Sequence, residues 1–199
     1  MFTGIVESQS PILQVTPLDS ALQIVVKKPI PFDDLKVGDS IACNGICLTL
    51  EKFDDETIQF TIGHETIEVT GWDANQLEGR FLNLERSLRF GDRIHGHLVS
   101  GHVDALGTLK QKKWQGECLL LTVEVPDEAK KYIWKKGSVA LNGVSLTVNF
   151  VNGNEFEVCL IPETLKQTNL EKLNEGDKLN LETDYYLKGM LNAQGATNA

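Results

Sequence analysis

Four side chains carry the chemistry this sequence can offer. Cys47 is a thiol, able to act as a nucleophile or to carry a proton. Ser145 and Thr147 stand two residues apart in a β-branched run, so on a strand their hydroxyls share one face and can hydrogen-bond the polar edge of a heterocycle. His102, in Ser100-Gly101-His102-Val103-Asp104, is the residue type best suited to move a proton near neutral pH. His97, five residues earlier, reads as structural. Taken singly these are weak signals: a lone cysteine is usually a core residue, and a Ser/Thr pair on a strand usually faces solvent.

What raises them is that the chain repeats itself. Ser40-Ile41-Ala42-Cys43-Asn44-Gly45-Ile46-Cys47-Leu48-Thr49-Leu50 returns 98 residues later as Ser138-Val139-Ala140-Leu141-Asn142-Gly143-Val144-Ser145-Leu146-Thr147-Val148, with six of eleven positions identical. Unrelated segments would share about one, so an internal duplication is the economical reading. Cys47 and Ser145 fall on the same position, so two similar pockets differ in their polar group and suit two copies of one ligand in different roles. Glu65-Thr66 matches Glu163-Thr164 at the same offset, and Asn83-Leu84-Glu85 matches Asn180-Leu181-Glu182 at 97. At the front, Ile5 on Val103 aligns Thr3-Gly4-Ile5 with Gly101-His102-Val103. The predicted domains are 1–97 and 98–185, each large enough for one small core, followed by a helix and tail over 186–199.

The elements that must position these residues are strands. Leu22–Val26, Thr57–Ile62, Leu119–Val125 and Glu155–Leu160 alternate or run β-branched, separated by short turns such as Asn152-Gly153. About six strands per half with few helical stretches predicts an all-β protein of two closed barrels rather than sandwiches, because closure removes exposed edges. Pro162–Lys166 predicts a short helical turn. Tyr185–Leu191 starts a terminal helix whose apolar residues 187, 190 and 191 must be buried, which predicts an oligomer; Gln194–Ala199 is expected to fray.

Composition narrows the classes. The chain has 199 residues, 41% hydrophobic and 24% charged, with net charge -9. No apolar run approaches a membrane span, and Met1–Val6 does not read as a secretory signal. An acidic chain with scattered Lys and Arg presents no basic face for nucleic acid. Cysteines at 43, 47, 118 and 159 have no zinc-ribbon spacing, so free thiols in a reducing cytoplasm are expected, with Cys43, Cys118 and Cys159 in the core. His95, His97 and His102 lack the Cys or acidic partners a metal site needs, so no metal is expected.

Together, Met1-Phe2-Thr3-Gly4-Ile5-Val6, Asn44-Gly45-Ile46-Cys47-Leu48-Thr49, Asn142-Gly143-Val144-Ser145-Leu146-Thr147, Gly96–Asp104 and Leu160-Ile161-Pro162-Glu163-Thr164-Leu165 resemble the riboflavin synthase family over about residues 1 to 185. The resemblance implies two tandem six-stranded Greek-key barrels, each binding one 6,7-dimethyl-8-ribityllumazine. It implies a dismutation that moves a four-carbon unit from one lumazine to the other, giving riboflavin and 5-amino-6-ribitylamino-uracil without a cofactor. It further implies a homotrimer held partly by the C-terminal helix, and leaves association with lumazine synthase open.

Carried over residue by residue, the resemblance implies Cys47, His102, Ser145, Thr147 and Asp184 as catalytic. It lines the N-terminal pocket with Gly4, Ile5, Val6, Cys47, Leu48, Thr49, Thr61, Ile62, Gly63, His64, Glu65 and Thr66. It lines the C-terminal pocket with Gly101, His102, Val103, Lys136, Ser145, Leu146, Thr147, Leu160, Ile161, Pro162, Glu163, Thr164 and Leu165. His64 departs from its partner Pro162. Two other functions fit parts of the pattern. A non-catalytic lumazine- or flavin-binding protein on the same scaffold would be expected to lose the polar residues that are present here. A flavin-dependent reductase would need a Gly-x-Gly-x-x-Gly strand-to-helix turn that is absent.

Overall fold

The computed structural model describes residues 1–196; the last three of the expected frayed tail, 197–199, lie outside the described residues. The first half contains β1 (Ser8–Leu18), β2 (Ala21–Lys27), β3 (Ser40–Cys43), β4 (Ile46–Thr49), β5 (Lys52–Phe53), β6 (Thr57–Gly63), α1 (His64–Thr70), α2 (Ala74–Leu77) and β7 (Phe81–Arg86). The second contains β8 (Ala105–Gln115), β9 (Cys118–Glu124), α3 (Asp127–Lys130), β10 (Ser138–Leu141), β11 (Val144–Asn152), β12 (Glu155–Leu160), α4 (Pro162–Gln167) and β13 (Lys178–Thr183). Helix α5 (Tyr185–Ala196) follows, so residues 194–196, expected to fray, continue the helix.

The second half is a closed antiparallel barrel in the order β10-β11-β12-β9-β8-β13, a Greek key because β9 returns beside β12 rather than beside β10. The first half has the order β4-β3-β7-β1-β2-β6-β5. Its two edges, β4 and β5, are the parts of one strand interrupted at Leu50-Glu51, so the same ring is completed through a break where β11 runs unbroken. Long β1 and β8 each turn a barrel corner at a bulge, between Ile12 and Gln14 and between Leu109 and Gln111, and so pair with two different neighbours. Each barrel is filled by alternate residues of its strands: Ile24, Ile41, Phe60 and Leu84 are fully buried in one, Leu121, Val139, Phe156 and Leu181 in the other.

The duplicated Asn-Gly pair has a structural use. Asn44 (φ 49) and Gly45 (φ 79), and likewise Asn142 (φ 45) and Gly143 (φ 78), make the tight turns β3–β4 and β10–β11, where two left-handed residues are required. The turns meet back to back: a Cβ on Gly45 would lie 2.8 Å from Gly143 N, and one on Gly143 would lie 2.6 Å from Gly45 N. A buried amide network closes round the contact. Asn83 Nδ2 donates to Asn142 O (2.9 Å) and Asn169 Oδ1 (3.0 Å), and Asn180 Nδ2 donates to Asn44 O (2.9 Å).

The two halves are also laced at their starts. Phe2 and Val99 exchange backbone hydrogen bonds (2.8 and 3.0 Å) at the centre of a small cluster with Ala42 and Ala140. Two buried carboxylates fix the register. Glu85 accepts from Thr3 N, Thr3 Oγ1 and Gly4 N, and Glu182 accepts from Ser100 N and Gly101 N. Gly4 therefore corresponds to Gly101 and Ile5 to His102, an offset of 97; the front alignment expected from the sequence, with Ile5 on Val103, is one residue out of step.

Candidate functional site

The strand pair β3–β4 sets Ala42 opposite Cys47 and Ser40 opposite Thr49; β10–β11 sets Ala140 opposite Ser145 and Ser138 opposite Thr147. Alternation puts Cys47 and Thr49, and Ser145 and Thr147, on the outer faces of their barrels, half-buried or exposed. The same alternation turns the side chains of four expected lining residues inward, leaving only their backbone to face a pocket. Leu48, Leu146, Ile62 and Leu160 point inward and belong to the barrel cores. Thr61, Gly63 and Ile161 remain on the outer faces, and Thr66 and Thr164 sit half-buried on α1 and α4. The helices match: Thr70 Oγ1 donates to Thr66 O and Thr168 Oγ1 to Thr164 O, both at 2.7 Å. His64 lies on the exposed surface of α1 with its Nε2 3.2 Å from Glu68 Oε1. Glu65, Pro162 and Glu163 are exposed and Leu165 packs against the second core.

The larger correction is an exchange between halves. Ser145 N donates to Gly4 O and Cys47 N donates to Gly101 O, both at 2.8 Å. A Cβ on Gly4 would fall 2.6 Å from Ser145 Cβ, and one on Gly101 2.6 Å from Cys47 Cβ. Val6 is buried in the second core and Val103 packs on the first. Gly4-Ile5-Val6 thus border the Ser145 site and Gly101-His102-Val103 border the Cys47 site, the reverse of the sequence expectation. The cause is local: Gly4 and Gly101 have φ +74 and +85, which turns each entering segment across the twofold-like seam before its first strand begins. The predicted limits at 97 and 98 fall in the connection between β7 and β8, where Phe2 and Val99 pair.

His97, expected to be structural, is the histidine that reaches a hydroxyl. Its Nδ1 lies 2.7 Å from Ser145 Oγ, and its backbone N donates to Thr3 O at 3.1 Å. Gly96 makes the approach, since a Cβ there would lie 2.1 Å from Thr3 O. Burial lowers the His97 pKa; Asp184, also nearby, raises it by charge and loses. Burial thus favours the neutral ring, whose Nε2–H tautomer leaves Nδ1 able to accept the Ser145 proton, while buried Nε2 has no partner among the described residues. Asp184 itself accepts from Tyr186 N and Leu187 N and so caps α5.

His102 is exposed and lines a cavity of about 570 Å³ with Ser100, Asp104, Glu182, Thr183 and Tyr185. Its pseudo-equivalent, of about 480 Å³, holds Thr3, Ile5, Glu7, Glu85 and Arg86. Lys136 is exposed with φ 71, where its counterpart Gly38 has φ 96, and its backbone N donates to Val148 O at 2.8 Å. A lysine two residues before Ser138 thus holds a left-handed conformation that L-residues disfavour. Cys43 is a core thiol whose pKa burial pushes far up, as expected. Among the described residues no group of three or more His, Cys, Asp or Glu is placed to hold a metal ion.

Two quasi-equivalent barrels, each with a polar strand face completed by the other half, define a tandem β-barrel protein with paired ligand-binding domains. A model of the lumazine-binding domain matches the chain twice, over residues 3–87 and 100–184. Riboflavin synthase of Photobacterium phosphoreum is 38% identical over 185 residues, covering 92% of this chain and 84% of that one. Riboflavin synthase of Brucella abortus is 38% identical over 189 residues, covering 92% and 93%. The chain belongs to the riboflavin synthase family, whose lumazine-binding domain it carries in two copies. The fold is also that of LumP: its complex with riboflavin matches with a TM-score of 0.85 at 23% identity, over 92% of this chain and 99% of that one. LumP complexed with 6,7-dimethyl-8-(1'-D-ribityl) lumazine matches at 0.81 and 20%. No helix among the described residues is long and apolar enough to cross a membrane.

Proposed function

We propose that this chain catalyses the dismutation of two 6,7-dimethyl-8-ribityllumazine molecules, transferring a four-carbon unit to give riboflavin and 5-amino-6-(D-ribitylamino)uracil. The observation that carries this reading is the asymmetry built on symmetry. Two matched strand faces suit two copies of one ligand, yet one presents Cys47 and the other presents Ser145 backed by His97 at 2.7 Å. A dismutation needs like molecules in unlike roles. Neutral His97 takes the Ser145 proton as that hydroxyl, or a water it holds, meets the acceptor ring; Cys47 and His102 serve the donor, which loses a proton from its 7-methyl group. Thr49, Thr66, Thr147 and Thr164 hydrogen-bond the ligand edges, and Lys136 and Asp184 complete the acceptor side. Holding the two rings together supplies most of the acceleration, on the order of 7–11 kcal/mol for well-aligned partners.

In this reading no metal or organic cofactor takes part, and the protein works in the cytoplasm as a homotrimer. Support for the trimer is the exposure of Tyr185, Tyr186 and Met190 on α5, a face that wants a partner. Association with lumazine synthase would fit a shared intermediate.

The test is to incubate the protein with 6,7-dimethyl-8-ribityllumazine alone and follow riboflavin. One riboflavin per two lumazines consumed supports the enzyme. Stoichiometric binding without riboflavin makes it a ligand carrier, as the likeness to LumP in fold would allow.

A further inference from the structure

Cys118 and Cys159 are not core residues. Both are half-buried on the outer face of the second barrel, as free thiols. β9 and β12 pair with Cys159 opposite Leu120 and Leu160 opposite Leu119. Cys118 lies two residues along β9 from the partner of Cys159 and so on the same face, diagonally across the ladder. Cys118 lies close enough to act on its neighbour: the Cys159 pKa is raised first by burial, then by hydrogen bonding and charge from Cys118, and last by Glu157. The first barrel has Ala21 and Thr61 at the equivalent places, so the pair exists once.

Diagonal neighbours on one face of a ladder, typically about 7–8 Å apart, can lean their side chains toward each other. Two metal–thiolate bonds of about 2.3 Å in line would hold the sulfurs about 4.6 Å apart. We propose that Cys118 and Cys159 form a two-sulfur site for a soft, monovalent d10 cation of the copper(I) type. Paired thiolates select such ions. The absence of any three-ligand group among the described residues leaves two-coordinate binding as the geometry on offer. Binding is exchange without redox: two S–H bonds break, two metal–sulfur bonds form, and two protons leave for one cation gained, giving a bis-thiolate complex of charge -1. The neighbouring Glu157 carboxylate favours the incoming cation.

The experiment is an anaerobic titration of the full chain with copper(I) against a colorimetric chelator, with X-ray absorption on the loaded protein. One ion per chain in a two-sulfur shell is expected. Cys118→Ser and Cys159→Ser, which change half-buried thiols to hydroxyls, should each weaken binding by about 100-fold or more with unchanged circular dichroism. Unaltered affinity in either variant, or loss of the ion on Cys47→Ser instead, overturns the site. So does ready formation of a Cys118–Cys159 disulfide with oxidised glutathione, which would show the sulfurs too close for the proposed bridge. None of these readouts depends on turnover.

Discussion

Replacing Gly4 by alanine tests whether the halves really exchange their entering segments. The new methyl must sit at φ +74, which costs an L-residue about 1–2 kcal/mol. It must also sit 2.6 Å from Ser145 Cβ and 2.7 Å from Ser145 N. The second contact is with backbone tied into β11, so relief needs a shift of the strand, and overpacking of this kind costs about 1–3 kcal/mol. The sum, roughly 2–5 kcal/mol, lowers the melting temperature by about 4–20 °C for a chain of this length. Gly101→Ala costs about the same, because its methyl would meet Cys47 Cβ at 2.6 Å and Phe2 at 2.9 Å. Stability therefore does not separate the variants; location does. Gly4→Ala should displace the His97 titration, followed by NMR, and leave the rate at which a thiol reagent labels Cys47 unchanged. Gly101→Ala should change Cys47 labelling and leave His97 alone. Gly4→Ala acting on Cys47 while sparing His97 would refute the exchange.

Three further outcomes follow from the same geometry. Burial pushes the Glu85 pKa up from 4.5 to about 7, against the hydrogen bonds of Thr3 and Gly4. The folded state thus holds this proton more tightly than the unfolded chain, so its contribution is full below pH 4.5 and is lost as pH rises through 7. The loss is roughly 3 kcal/mol at about 1.4 kcal/mol per pH unit, and urea melts should show Glu85→Gln losing that part of the slope. His97→Gln should cut kcat about 100-fold or more with little change in lumazine affinity, since proton transfer contributes about 10²–10⁴; an equal rise in KM with kcat retained would make His97 a binding residue. Asn169→Ala breaks bonds to Asn44, Phe81 and Asn83 between the halves and should cost about 2–4 kcal/mol in chemical denaturation.

Much of the architecture is visible in the sequence because period-2 alternation and turn chemistry are local. Thr57–Ile62 and Glu155–Leu160 show their buried faces residue by residue, and Asn152-Gly153 marks its hairpin. The duplicated Asn-Gly is equally visible, but not its reason: Gly45 and Gly143 are small because each is the other's wall, a contact between residues 98 apart. The exchange was hidden for the same cause. Strand periodicity says which face a residue takes, not which barrel it meets, and only the paired acceptors Glu85 and Glu182 reveal that Gly4 answers Gly101. His97 was missed because histidine in a connecting loop has no periodic signature; its signal was Gly96 directly before it, a glycine with no turn to justify it. Cys118 and Cys159 looked like core thiols because their strands are strongly apolar, although alternation about Leu119 and Leu160 already placed them outside.

The crossing of Met1–Val6 also imposes an order on synthesis. Those residues are made long before their dock, which includes Ser145 and the second core that buries Val6. At about 5–20 residues per second, the 140 or so residues between them take roughly 7–28 s to make. Gly101, which belongs against Cys47, is made well before Ser145, so the first barrel can be completed while Gly4 and Val6 still lack part of their dock. The segment Met1–Val6 is thus among the last to settle, and the nascent chain carries an apolar Val6 whose place in the second core is incomplete until residue 145 and the strands after it appear.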